Sequence, residues 1–187
     1  MPMEKLMRTV LASLMAALTA VGAYLHVPIG PVPIVLSGLF VLLSGLLLGS
    51  RWGLASMALY LLVGAIGMPV FAGGKGGFPH FFGPTGGYLF GYLLAAWLTG
   101  ALSERFRGLL MGDIFAVVAG SIAIYLLGVP WLKFVTQMSW TKTLVVGMVP
   151  FLIGDAVKAS VALGLARAVR PMLRRTESRM SQGEGGF

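Results

Sequence analysis

The chain contains a series of uncharged apolar runs, each about the length needed to cross a lipid bilayer, joined by short polar segments. About 20 mostly apolar residues span the hydrocarbon core as a helix. Six such segments are predicted, at about 6–25, 34–49, 52–70, 87–102, 109–127 and within 144–169. In hydrocarbon no water satisfies the backbone, so each span must bond to itself as a helix. The expectation is an all-α integral membrane protein with six transmembrane helices. Composition agrees, with 57% hydrophobic and only 11% charged residues; soluble domains carry about 25% charged residues. The length suits one membrane domain, residues 1–170, followed by a polar tail, 171–187, expected to lack regular structure. The first apolar run follows a basic start, as a secretory signal would. It extends past the roughly 7–15 residues of a signal core, so a retained first helix is expected.

The joints set the topology. The segment 26–33 holds Pro28, Pro31 and Pro33 and cannot be a helix interior. Gly49, Ser50 and Arg51 suit a tight turn. Residues 103–108 are short and charged, and 130–142 form a longer aromatic connection with Trp131, Phe134 and Trp140, suited to the interface. Ten basic residues fall on one side: Lys5, Arg8, Arg51, Arg105, Arg107, Arg167, Arg170, Arg174, Arg175 and Arg179. Only Lys75, Lys133 and Lys142 fall on the other. Basic loops stay in the cytoplasm, so both termini are expected there, in the cell membrane. The net charge of +8 reflects this bias and contact with anionic lipid rather than nucleic acid.

Asp155 and Lys158 are the charged residues deep in the last span. They are spaced i, i+3 and share a helix face. Intramembrane charges are costly and face a partner or a cavity. Pro150 suits a helix's first turn, which sets both residues one to two turns below the outer surface. Three readings stand: a self-neutralising structural pair, a polar ligand site, or a proton relay. Asp113 lies near the start of the fifth span, where a surface carboxylate favoured by the helix dipole is expected.

The stretch 71–92 combines glycines with Phe71, Phe78, Phe81, Phe82, Tyr88 and Tyr92. Either it is a flexible interfacial loop, or it is a lid over a small, partly apolar ligand. No phosphate-loop spacing is present. His26 and His80 are too few for a metal site and are expected at the interface. Ala12, Ala16 and Ala20 recur every four residues, which lets a helix pack closely, against either a partner or the chain's own helices. No nucleophile–base set or metalloprotease motif points to an enzyme, and no cofactor is expected. The absence of cysteine removes disulfide chemistry.

Several motifs together resemble the BioY family, the biotin-binding S components of energy-coupling factor (ECF) transporters. They are VPIGPVPI, LLLGSRWG, ALYLLVGAIGMPVFAGG, GPTGGYLFGY, YLLGVPWL and PFLIGDAVK. They occur in family order over about residues 6–170. The resemblance implies an S-component-like six-helix bundle that captures biotin from outside with high affinity. It implies a ligand site at Asp155 and Lys158 under a lid with Phe71, Gly73, Gly76, Pro84, Thr85, Gly86, Gly87, Tyr88 and Tyr92. Asp155 would accept a ureido N–H while Lys158 donates to the ureido carbonyl, or Lys158 would pair with the valerate carboxylate. The implied partners are a transmembrane coupling protein, docked on Ala12, Ala16 and Ala20, and two ATP-binding cassette subunits that use the ATP. One difference is visible: the family often reads Pro-Ile-Thr-Leu-Gln where this chain has Pro33, Ile34, Val35, Leu36 and Ser37. Outside the resemblance, a proton-coupled carrier for another small molecule is the alternative.

Overall fold

The computed structural model describes residues 3–28, 30–106 and 109–183, with side chains through residue 173. Ile29, Arg107 and residues 184–187 lie outside the described residues, as do the side chains of Arg174, Arg175 and Arg179.

The first run folds as α1 (Met3–Tyr24). The proline-rich segment after it is a two-stranded antiparallel ribbon, β1 (His26–Val27) against β2 (Ile34–Val35). The ribbon returns the chain onto the helix it left. The Leu36 N–H donates to Gly22 O at 3.0 Å, and Ser37 Oγ donates to Thr19 O at 3.0 Å.

The expected second and third spans are one element, α2 (Ser37–Ala65), broken at Gly49, where φ is 79° and ψ −174°. A Cβ on Gly53 would lie 3.1 Å from the Gly45 Cα. Eight residues of straight helix span about 12 Å, so the arms 37–48 and 50–65 fold back on each other. The positive φ requires glycine. The new helix start is capped by Glu104, which accepts from the Ser50 N–H at 3.1 Å and from Ser50 Oγ at 2.9 Å.

Next come a 3-10 turn (Phe78–Phe82) and α3 (Gly86–Arg105). Then follow α4 (Leu110–Thr136), α5 (Trp140–Gly147), a second 3-10 turn (Val149–Phe151) and α6 (Leu152–Gly183). Lipid tails are as apolar as leucine, so helices associate through close contact. At Gly87 a Cβ would lie 2.2 Å from Trp131 Cβ and 2.6 Å from Leu127 O. Glycine there lets the start of α3 lie directly on α4.

Four segments are long and apolar enough to cross a membrane: Met3–Tyr24, Ser37–Ala65, Leu110–Thr136 and Trp140–Leu173. The chain is a multi-pass helical membrane protein.

The boundaries differ from expectation in three places. The fifth span continues through Pro130 to Thr136 and ends on Gln137 in the left-handed region. The aromatic connection is therefore mostly helix. Proline removes one backbone bond, and apolar surroundings favour keeping all the others. The sixth span is preceded by a break around Pro150 that sets α5 apart from α6. The tail is helical to Gly183; its arginines, leucine and methionine are good helix formers.

Asp113 is also not at the surface, being only 2% exposed. Arg170 Nη1 donates to its Oδ2 at 2.9 Å, and Ser103 Oγ donates to its Oδ1 at 2.7 Å. Arg170 Nη2 reaches Leu46 O at 3.0 Å. This knot joins α2, α3, α4 and α6. Removing one partner of a buried pair strands the other charge. Asp113→Ala should lower unfolding stability by about 3 kcal/mol or more, measured by thermal unfolding in detergent. Joint replacement of Asp113 and Arg170 by leucine should recover much of that loss.

Candidate functional site

A cavity lies at the end of the bundle where α6 begins. It holds about 670 Å³ of space not filled by atoms, its open mouth included. Every helix except α5 reaches it. Ala23 closes it from α1, and Val32, Pro33, Val35, Ser37 and Gly38 from the ribbon and the start of α2. Tyr60 comes from the second arm of α2, and Phe71, Ala72 and His80 from the loop after it. Thr85 precedes α3, which gives Tyr88, Leu89 and Tyr92; Ile124 and Tyr125 come from α4, and Phe151, Asp155 and Lys158 from the last turn and α6.

Asp155 sits in the first turn of α6, where the helix dipole favours a carboxylate. Lys158 Nζ donates to Asp155 Oδ1 at 2.7 Å. The other oxygen, Oδ2, accepts from the Tyr125 hydroxyl. Lys158 is buried and Asp155 partly buried. The pair keeps the cavity floor neutral, which limits the desolvation penalty of two charges. Among the described residues it supplies the charged groups of the lining. Hydroxyls of the surrounding tyrosines are largely committed to the protein. Tyr60 donates to Val70 O at 3.1 Å and Tyr88 to Gly147 O at 2.7 Å. The cavity is thus an aromatic, apolar chamber with one polar end. It suits a small ligand with an apolar body and a polar group that can face an ammonium and a carboxylate.

The glycine-rich loop is more ordered than its composition suggests. Phe71 is 1% exposed and fills the space left by Gly64, where a Cβ would lie 2.1 Å from Phe71 Cζ. Its N–H donates to Lys75 O at 2.8 Å. Its ring stands edge-on to Tyr60 and Phe81 at 5.6 and 5.5 Å. His80 stacks on the same ring at 5.1 Å and bonds Thr85 Oγ1 through Nε2 at 3.1 Å. His80 therefore belongs to the cavity wall rather than to the interface, a role no spacing rule exposes.

Of the residues singled out from the sequence, Asp155, Lys158, Phe71, Thr85, Tyr88 and Tyr92 meet around the cavity. Gly73, Gly76, Pro84, Gly86 and Gly87 lie outside its lining. A Cβ on Gly86 would lie 1.8 Å from Phe81 O, and one on Gly76 2.1 Å from Met68 O; both glycines serve close backbone contact. Ala12 and Ala16 are buried in the protein's own core, and Ala20 packs against it. Val35 and Ser37, the two positions where the chain departs from the family pattern, do line the cavity. Tyr60, Ile124, Tyr125 and Phe151 also line it; three of them fall within the family motifs, but no charge or spacing singles them out as site residues. Among the described residues, no cluster of histidine, cysteine and carboxylates has the composition of a metal site.

The BioY family profile matches residues 2–175. The chain belongs to the BioY family. A probable biotin transporter BioY of Pyrococcus horikoshii is 40% identical over 161 residues, covering 86% of this chain and 94% of that protein. The biotin transporter BioY of Thermotoga maritima is 42% identical over the same length and with the same coverage. The fold is similar to the crystal structure of the S-component for biotin from an ECF-type ABC transporter. The TM-score is 0.84 at 29% identity, over 90% of this chain and 93% of that one.

His80 provides a test of the wall. Burial, and secondarily the Lys75 ammonium, lower its pKa below the ordinary histidine value. At mildly acidic pH the folded chain then holds fewer protons than the unfolded chain. Stability from the neutral ring is complete above the unfolded pKa of about 6.5 and is lost as pH falls toward the folded value. Thermal unfolding at about pH 7.5 and about pH 5.5, either side of that value, should show a larger drop in Tm for the native chain than for His80→Asn.

Proposed function

We propose that this protein is the biotin-binding S component of an ECF transporter, capturing biotin at the outer face for ATP-driven delivery into the cell. The observation that carries the reading is the Asp155–Lys158 pair at the polar end of an otherwise aromatic cavity, in a chain of the BioY family. Biotin has a compact bicyclic body, a ureido group and an anionic valerate tail. Its rings match the wall of Phe71, Tyr60, Tyr88 and Tyr92, and its polar groups match the ammonium and carboxylate. The role is transport rather than catalysis.

The proposed topology is six passes. The arms 37–48 and 50–65 count separately, with α1, α3, α4 and α6 as the others, and both termini in the cytoplasm. The positive-inside bias supports it. So does the cavity, whose lining comes from the α1–α2, α2–α3 and α4–α6 ends; an even number of passes puts those three on one face. The membrane domain is residues 1–170, with the following segment cytoplasmic. Lys75 and Arg51 are both exposed, and the chain has no native cysteine. Lys75→Cys should react with an impermeant thiol reagent in intact cells, and Arg51→Cys only after permeabilisation.

The energy would come from partners, a transmembrane coupling protein and two ATP-binding cassette subunits. The likeness to an S-component that belongs to an ECF-type ABC transporter supports this. Because Ala12 and Ala16 are occupied by the protein's own core, the docking proposed for the alanine stripe would have to act through the packing of α1.

Biotin titration of purified protein should show saturable one-site binding; folded protein with no saturable binding would overturn the reading. Asp155→Asn or Lys158→Met leaves a charge in the cavity without its ionic partner and should weaken binding roughly 30-fold or more. Uptake in cells that carry the partners should survive an uncoupler while ATP is maintained. Its loss would favour a proton-coupled carrier.

A further inference from the structure

Both oxygens of Asp155 are held, but by different elements. Oδ1 takes the Lys158 ammonium from one turn along the same helix. Oδ2 takes the hydroxyl of Tyr125, which comes from α4. The intrahelical pair alone leaves the carboxylate free to turn about its side-chain bonds. The tyrosine removes that freedom.

Tyr125 is itself held in place. Its ring stands perpendicular to Tyr88 at 6.5 Å. Tyr88 is anchored in turn by its hydroxyl on Gly147 O at 2.7 Å, at the end of α5 and just before the turn that starts α6. Tyr88 from α3 thus holds the end of α5, and Tyr125 from α4 holds the beginning of α6. The grip matters because this helix meets few neighbours there. Leu152, Ile153, Val157 and Val161 are exposed on its outer side, and the knot at Arg170 lies about 22 Å along the helix from Asp155.

We infer that Tyr125 is a positioning residue of the ligand site. Its hydroxyl fixes Asp155 so that the carboxylate holds Lys158 with the ammonium directed into the cavity. It acts through Asp155 rather than through the ligand. An ammonium has three donors; one goes to Oδ1, and the orientation of the other two decides what the cavity can bind. A hydrogen bond to an ionised group is about twice as strong as a neutral one, so a single hydroxyl suffices for this role. The inference rests on the biotin-binding reading for its affinity readout only.

Tyr125→Phe removes the hydroxyl and keeps the ring against Tyr88. Biotin titration of the purified variant in lipid nanodiscs should show affinity reduced roughly 10- to 100-fold, with Tm close to that of the native chain. The second readout needs no ligand. The infrared carboxylate stretch present in the native chain and missing from Asp155→Asn belongs to Asp155. It should shift in Tyr125→Phe. Native affinity in Tyr125→Phe overturns the inference, and so does reduced affinity with an unshifted band, which would make Tyr125 a direct ligand contact. A native chain that binds no biotin would overturn the functional reading instead. The infrared band would then still decide whether Tyr125 holds Asp155.

Discussion

Lys158 is buried in a protein whose outer surroundings are hydrocarbon, and an ammonium there needs a carboxylate. Asp155 supplies it from one turn away, at 2.7 Å. Because both charges stand on one face of α6, that face must turn inward, and its opposite face, with Ile153 and Val157, turns outward. The orientation of the helix then decides what the other helices must provide around the pair. Tyr125 provides a hydroxyl to the carboxylate. Tyr60, Tyr88 and Tyr92 provide aromatic walls, and the hydroxyls of Tyr60 and Tyr88 are spent on backbone carbonyls. A neutral polar end in an apolar chamber follows from satisfying one buried charge.

Further along α6, Arg170 solves the same problem across four elements. Arg170 bonds Asp113, Ser103 and the Leu46 carbonyl at 2.9–3.2 Å. The Leu46 carbonyl lies at the end of the first arm of α2, just before the reversal at Gly49. One guanidinium thus helps close the turn, while Glu104 caps the arm that leaves it. Between the two charge pairs α6 presents small residues: Ala162 and Ala166, both fully buried, pack into the core with Leu39, Leu42 and Val117. Between the pairs, α6 needs no further polar contact to the bundle.

Much of the fold was legible because membrane helices advertise themselves. The apolar runs placed α1 and α3 to within a few residues. The prolines at 28–33 excluded a helix where the ribbon forms, and Pro150 marked the start of α6. The Asp155–Lys158 pair was legible from spacing alone. Tyr125 was not, because a tyrosine in an apolar run shows no sign of which helix it will face. Asp113 was misread for the same reason. Its partner stands 57 residues away, and local sequence suggests only the helix dipole. The alanine stripe was ambiguous, since small residues serve an outside partner and an inside helix equally well, and Ala12 and Ala16 face the protein's own core.

By itself the sequence determined that the chain crosses a membrane as helices, where most of them start, and that one of them carries an internally neutral acid–base pair. Those features follow from local chemistry: length of apolar run, proline and glycine geometry, and spacing of three along a helix. Its motifs also carried the family. The sequence also marked the turn at Gly49 that reverses α2. Only the tertiary structure decided that Pro130 stays inside α4, and that His80 leaves the interface to stack on Phe71. It also decided which hydroxyl holds Asp155. Each of these depends on which faces of distant segments meet, and in a chain so uniformly apolar the pattern of hydrophobic residues does not distinguish a lipid-facing side from a packed one.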